Sequence, residues 1–193
     1  MFHPNTQRMI ADWSRRCADR PAPLRSDFSP AALGGLMPQL FMLDGQTGED
    51  DFRLIGGLIT DLHAKDLRGT PFRALWEPTD MLKATAAVSE VRATLLPVVI
   101  TARAHTAEGY ETRLEIVLEP FLGPDGGVER ILGLYQPLSS LARLLGKPVE
   151  ALSFRSLQTA DAAEAVWTAP AAPQSRPARA DLKVVAIDGR RVA

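Results

Sequence analysis

Residues 98–134 read VVITARAHTAEGYETRLEIVLEPFLGPDGGVERILGL, and this stretch decides the fold class. Apolar and polar side chains alternate over 98–105 and again from residue 111 onward, which is the period-2 pattern of β-strands with two different faces. Gly109 and the segment 123–127 supply turns, so three consecutive antiparallel strands are predicted. The middle strand should have one buried side and one solvent-facing side. The predicted buried side is Thr112, Leu114, Ile116 and Leu118, and the predicted exposed side is Glu111, Arg113, Glu115 and Glu119.

The segments before this stretch add two further strands and several helices. Residues 40–43 and 52–55 flank a polar turn and are predicted to form a hairpin. Residues 58–76 look compact and irregular, and a longer helix is expected from about 80 to 94 with Thr79 or Asp80 as its cap. This order predicts an α+β fold in which a five-stranded antiparallel sheet carries short helices on one face.

The N-terminal segment is predicted to be an amphipathic helix over residues 7–20. Met9, Ile10, Trp13 and Cys17 recur at helical spacing, and prolines at 21 and 23 end the pattern. A helix of about 14 residues is marginal in water by itself, so the apolar stripe needs a surface to pack on. We expect a homodimer in which these four residues are the contacts. The alternative is that the helix covers its own sheet.

Three regions are predicted: the helix over 1–22, the α+β domain over 23–146, and a tail over 147–193. A weak helical pattern lies at 152–166, and the Ala- and Pro-rich segment 169–180 predicts a disordered linker. The apolar patch at 182–187 is either a fraying end or a docking peptide that adds a strand to a partner.

The composition narrows the class of protein. The chain has 193 residues, 46% hydrophobic content and a net charge of −1, without the basic excess typical of nucleic-acid binding. One cysteine cannot form an internal disulfide, and no apolar run approaches the length of a membrane span. Because the N-terminus also lacks a signal-peptide pattern, a cytoplasmic location without membrane or nucleic-acid partners is expected.

No catalytic or metal site is predicted from the residue types and their spacing. Ser26 and Asp27 lie in a turn and capping context, and His63 and Asp66 form a pair without a third ligand nearby. Asp66 and Arg68 are interpreted as a pair that ties their loop together. A contact with a partner or ligand is the alternative for these two residues.

Five stretches carry a family resemblance, and together they cover roughly residues 10–140. They are PLRSDFSP (23–30) with Leu33, LMPQLFMLD (36–44), DFRLIG (51–56), KDLRGTPF (65–72) with Leu75 and Trp76, and ERILG (129–133). In this order they resemble the PAS domain family, and in particular the short stand-alone bacterial PAS proteins classed as PAS type 5.

The resemblance implies a PAS fold and a non-catalytic sensory or regulatory module that acts in trans on signalling proteins such as histidine kinases. PAS domains can hold a small ligand between sheet and helices, although a dry packed core is the alternative here. Haem is not expected because residues 79–94 lack histidine and leave only His63, on an earlier turn, as a candidate ligand. A photoreactive flavin is not expected because Cys17, the one cysteine, lies in the N-terminal helix. The candidate pocket residues are Leu54, Leu62, Leu75, Trp76, Ile100, Leu114, Ile116 and Leu118.

Two other functions stay open. A small cone-shaped α+β enzyme, such as an isomerase or hydratase, would need a buried ionisable pair facing the cavity, and the predicted inward faces show none. A structural oligomerisation module is the third hypothesis. A co-purified chromophore or metabolite would favour sensing, whereas a dimer without ligand would favour scaffolding.

Overall fold

A computed structural model describes residues 1–44 and 50–160. Within them lie the helices α1 (Pro4–Cys17), α2 (Pro30–Leu33), α3 (Gly57–His63) and α4 (Met81–Thr94). The strands are β1 (Leu40–Asp44), β2 (Phe52–Ile55), β3 (Val98–Thr106), β4 (Glu111–Leu122), β5 (Val128–Pro137) and β6 (Val149–Thr159). Short 3₁₀ helices occur at Arg25–Asp27, Gly34–Gln39, Phe72–Leu75 and Leu141–Leu144.

The six strands form one sheet in the order β2-β1-β5-β4-β3-β6, and all neighbouring pairs are antiparallel. Ile116 on β4 lies opposite Ile100 on β3 and opposite Tyr135 on β5. β4 therefore has a paired strand on each side and lies in the interior of the sheet.

Glycine is required at two kinds of position in this sheet. Gly109 and Gly126 have φ angles of +80° and +81° in the turns that precede and follow β4. A residue with a side chain is strained at such positive φ angles, whereas glycine adopts them readily. At Gly133 on β5, an added Cβ would lie 2.0 Å from the ring of Phe41, so glycine allows that ring to lie across the strand.

Both faces of the sheet are covered. On the side that we call the inner face, α3, α4 and the 3₁₀ helix Phe72–Leu75 contribute to one apolar cluster that also includes Ile116. On the opposite side, the outer face, α1 contributes Trp13 to a second cluster that includes Val117. Neighbouring residues on β4 belong to different clusters because successive strand side chains point to opposite faces.

α1 is shifted by about one turn from the predicted range 7–20. It begins at Pro4 because proline is tolerated in the first helical turn, and the His3 ring Nδ1 accepts the Asn5 N–H at 3.1 Å. It ends at Cys17, since the following Ala18 has φ +49°.

The predicted exposed side of β4 is correct for Glu111 and Arg113 and wrong for Glu115 and Glu119. Glu115 accepts two hydrogen bonds from the backbone N–H of His3, at 3.0 and 3.2 Å, just before α1 begins. Glu119 is only 1% exposed. Alternation identifies the residues that share a face, but it does not show that another element covers that face.

The weak helix predicted over 152–166 is wrong for its described part, because β6 extends to Thr159. β6 pairs with β3, so the sheet has six strands instead of the predicted five. The linker predicted at 169–180 and the apolar patch at 182–187 lie outside the described residues.

The other edge of β6 is held by the segment before α4. The Glu77 N–H donates to the Leu152 carbonyl at 2.9 Å, and the Phe154 N–H donates to the Asp80 carboxylate at 2.8 Å. Asp80 also accepts a hydrogen bond from Lys83 on α4 at 2.7 Å. β6 and the start of α4 are therefore joined through one carboxylate.

Replacing Ile116 with alanine should lower the free energy of unfolding by about 2–5 kcal/mol, because a buried side chain leaves a cavity in the inner cluster. The matched control is Leu54→Ala, which removes a side chain that is 46% exposed and should change stability by less than about 0.5 kcal/mol. Denaturant unfolding curves measure both values. Equal losses would contradict the assignment of the two positions.

Candidate functional site

The inner cluster brings together seven of the eight predicted pocket residues. Leu54 is the exception, and its prediction is wrong, since its side chain lies on the surface. The register of β2 shifts at Arg53, because Leu43 pairs with Phe52 while Met42 pairs with Leu54. This β-bulge interrupts the alternation that would have placed Leu54 beside the buried Phe52. The seven buried members are Leu62, Leu75, Trp76, Ile100, Leu114, Ile116 and Leu118.

A buried histidine and a buried tyrosine contact each other on the inner side of the sheet. His63, the last residue of α3, and Tyr135 on β5 are both buried, with 3.4 Å between the histidine Nε2 and the tyrosine hydroxyl. Burial lowers the pKa of His63 to about 4, and the charge of Lys65 acts in the same direction. Burial also raises the pKa of Tyr135. Both groups are therefore uncharged at neutral pH.

Among residues 1–44 and 50–160, two buried nitrogens on this inner side find no hydrogen-bond partner. They are Nδ1 of His63 and Nε1 of Trp76. The backbone of Val149 acts on His63 in the direction that raises its pKa, but it does not give Nδ1 a hydrogen bond of normal geometry. Trp76 packs between the rings of Phe72 and Phe154, with centroid distances of 5.7 and 5.4 Å. The inner cluster thus combines apolar side chains with two unsatisfied polar atoms, and these are the two kinds of group that small-ligand sites use.

The four predicted dimer contacts are buried against the chain's own sheet. Met9, Ile10, Trp13 and Cys17 all belong to the outer cluster, and Trp13 is only 2% exposed. The Trp13 indole N–H donates to the Pro120 carbonyl of β4 at 2.9 Å. With α1 in this position, the stripe is not available to a second subunit.

Cys17 lies across the sheet from the candidate ligand site. Its thiol donates to the Trp13 carbonyl within α1, and burial raises its pKa to about 11. Since this is the one cysteine in the sequence, no thiol faces the inner cluster. This placement does not fit a cysteine that would form an adduct with a flavin on the inner side.

Asp66 and Arg68 form the predicted loop contact. The Asp66 carboxylate accepts the Arg68 backbone N–H at 3.0 Å and guanidinium N–H groups at 2.5–3.0 Å, and these bonds lower its pKa to about 2. Both side chains are exposed and border a groove of about 420 Å³ beside Arg53, Leu54 and Thr60. The pair orders the loop and remains accessible to a partner.

The outer face also holds a serine–histidine–glutamate set that the sequence pattern did not reveal. His105 Nε2 lies 2.7 Å from the Ser153 hydroxyl, and His105 Nδ1 lies 3.2 Å from the Glu111 carboxylate. The distances resemble those of a nucleophile, base and orienting acid. Ser153 is only 5% exposed, however, and Arg103 binds the same Glu111 at 2.9 Å. We interpret the set as a tie that holds β6 and β4 to β3.

The described part of the chain offers neither a metal centre nor a membrane-spanning helix. No group of three or more His, Cys, Asp or Glu side chains in residues 1–44 and 50–160 could hold a metal ion. Within the same residues, no helix has the length and apolar character needed to cross a membrane.

These features define an α+β domain in which helices and an antiparallel sheet enclose an apolar core. Residues 1–136 match the family described as PAS domain. The chain belongs to the PAS domain family, and both the resemblance and the α+β fold class predicted from its sequence are confirmed.

The solved structures that the chain resembles are distant in sequence. A light-oxygen-voltage domain studied with a flavin analogue is 15% identical, with a TM-score of 0.48 over 57% of this chain and 84% of that chain. The Rhodobacter sphaeroides LOV protein is 15% identical, with a TM-score of 0.45 over 55% of this chain and 62% of that chain. Drosophila melanogaster Cycle PAS-B with bound glycerol is 14% identical, with a TM-score of 0.43 over 52% of this chain and 99% of that chain. No curated protein matches the chain.

Acid should destabilise the protein through His63. The folded pKa of about 4 lies below the ordinary value of 6.5, so the unfolded chain binds a proton that the folded chain excludes. Stability due to this group is present above about pH 6.5 and is lost as the pH falls to about 4, by up to roughly 3 kcal/mol.

Denaturant unfolding at a series of pH values tests this expectation. The variant His63→Phe should lose less stability between neutral and acidic pH than the wild type does. The variant Leu82→Gln, which changes an exposed residue on α4 that does not titrate, should keep the wild-type acid dependence. The expectation fails if His63→Phe and the wild type lose the same free energy.

Proposed function

We propose that this chain is a non-catalytic PAS module that binds a small ligand and acts in trans on signalling proteins such as histidine kinases. The fold is that of a sensory or regulatory module. The single observation that supports ligand gating is the pair of unpartnered nitrogens on the inner side, Trp76 Nε1 and His63 Nδ1. A buried polar group without a partner costs about 1–3 kcal/mol, so a ligand that satisfied these atoms would be stabilised.

The chemistry of the site favours a small, uncharged ligand. Trp76 Nε1 is a donor only, so the ligand must present an acceptor to it. His63 is neutral above about pH 4 and offers no formal charge to a ligand. The rings of Phe72 and Phe154 beside Trp76 would contact the apolar part of such a molecule.

A ligand at Trp76 could act on the surface through β6 and α4. Trp76 forms a parallel β-bridge with Leu152, and its ring packs on Phe154 of the same strand. The Phe154 N–H is bound by Asp80, the residue that precedes α4. A displacement of Trp76 would therefore move β6 and the start of α4 together. This route supports an output by contact with another protein.

A homodimer is part of the proposal, with one restriction from the packing of α1. Because Trp13 is buried within its own chain, association must use another surface or must first displace α1. The exposed pair Asp66 and Arg68, beside the groove, is the alternative contact for a partner.

The proposal predicts that the chain changes the autophosphorylation rate of a histidine kinase that it binds. The full chain is immobilised to retain proteins from the native cell, and each retained kinase is then purified and assayed with and without it. A direct change in kinase rate is expected. If no signalling protein is retained and no kinase rate changes, the proposal of action in trans is wrong.

Ligand gating is tested in the same assay by adding the small-molecule fraction of the cell. The variant Trp76→Phe keeps an aromatic ring but removes the indole donor, so it should still bind the kinase and should lose the response to that fraction. Trp13→Phe, which changes a tryptophan on the outer face, is the control and should keep the response. Equal responses of Trp76→Phe and the wild type would rule out gating at this site.

The purified protein should be colourless in the visible range. Cys17 lies on the outer side, and the segment Met81–Thr94 contains no histidine that could serve as an axial haem ligand. An absorption spectrum of freshly purified protein measures this directly. A Soret band or a flavin spectrum at near-stoichiometric occupancy would contradict it.

A further inference from the structure

Glu119 is a carboxylate enclosed between α1 and the outer face of the sheet. It is only 1% exposed, and no described residue forms a hydrogen bond with its Oε1 atom. The residue beside it, Pro120, receives the indole N–H of Trp13, so this part of β4 lies directly under α1. Leu132 faces Glu119 across the β4–β5 pair and supplies no polar group.

The charged groups of α1 that act on Glu119 are Asp12 and Arg16. Arg16 does not serve as a dedicated counter-ion, because it donates to the Asp12 carboxylate at 2.7 Å and to the backbone carbonyl of Asp27. In the segment after α1, Arg20 is paired with the side chain of Asp27. Ionised Glu119 would therefore be a buried carboxylate that Asp12 repels, while Arg16, the cation that acts on it, is already engaged.

We propose that α1 is a proton-dependent cover, which is docked on the sheet while Glu119 is protonated and is released when Glu119 loses its proton.

Docking of α1 depends on pH because it removes the Glu119 carboxylate from water. Burial raises the pKa of Glu119 well above its ordinary value, Asp12 raises it further, and Arg16 partly opposes both. Release of α1 returns the carboxylate to water, where its pKa is about 4.3. Docking is therefore strongest below that pH and weakens as the pH rises towards the pKa of the docked form. Cys17, which also faces this interface, keeps its proton over a wide range because its pKa is about 11.

The fold allows α1 to leave without disrupting the inner cluster. Its residues contribute to the outer cluster, and the inner cluster is built from other elements. The connection after α1 begins with exposed residues at Ala18, Asp19 and Arg20. Release would uncover apolar side chains of the outer face, including Val117 and Leu134, and these would be available to a second copy of the chain.

Hydrogen exchange of the two indole N–H groups, followed by NMR, distinguishes release of α1 from global unfolding. Trp13 reports on the outer side and Trp76 on the inner side. After correction for intrinsic exchange rates, the protection factor of Trp13 should fall about tenfold per pH unit between the pKa values of the released and docked forms, because one proton is lost on release. Trp76 exchanges only when the inner cluster opens, so it should be more strongly protected than Trp13 at every pH, and this difference marks release of α1 without global unfolding.

The variant Glu119→Gln keeps a neutral polar side chain, so its Trp13 protection should be independent of pH. Glu108→Gln removes the same charge from the exposed turn between β3 and β4 and should behave like the wild type. Light scattering of the full chain should show association that rises with pH in the wild type and not in Glu119→Gln. The proposal is overturned if Glu119→Gln keeps the wild-type slope, if Trp13 protection does not change with pH, or if Trp13 and Trp76 have equal protection factors, which would mean that both exchange by global unfolding.

Discussion

β4 packs apolar side chains on both of its faces, and the other elements are arranged around this constraint. Ile116 belongs to the inner cluster, whereas the adjacent Val117 belongs to the outer cluster. The hydrogen bond from the Trp13 indole to the Pro120 carbonyl fixes α1 directly over this strand. Loss of either layer exposes apolar surface on the same strand, which costs free energy even where the other layer stays in place.

Because the sheet is covered on both faces, neighbouring residues of β5 connect the candidate ligand site on the inner side with α1 on the outer side. Tyr135 on β5 contacts His63 on the inner side. The next residue, Gln136, accepts a hydrogen bond from the Asn5 side chain of α1 at 2.9 Å on the outer side. A ligand that changed the position of Tyr135 would therefore act on the adjacent residue, which holds the beginning of α1. The sheet is a single layer, so this route crosses it within two residues.

Elements with a strong local pattern could be predicted from the sequence. Features that depend on how one element packs on or pairs with another could not. β2 and most of α4 were located closely, because turn residues and a cap mark their ends. The burial of Glu119 could not be predicted, since it depends on where α1 packs. Leu54 was misplaced because a β-bulge is a property of strand pairing. The contact between His105 and Ser153 depends on the register of β6, which the sequence pattern did not indicate as a strand.

The free energies involved explain why one proton can decide whether α1 stays docked. Each large apolar side chain that α1 buries contributes about 1.5–3 kcal/mol. The conformational entropy lost when this segment is ordered opposes docking. A change of about 1.4 kcal/mol per pH unit is comparable to the contribution of one such side chain, so it is significant for docking. A free arginine beside Glu119 would neutralise the charge and remove the sensitivity. Asp12 and Asp27 prevent this because they already bind Arg16, so the ion pairs of α1 keep Glu119 responsive to pH.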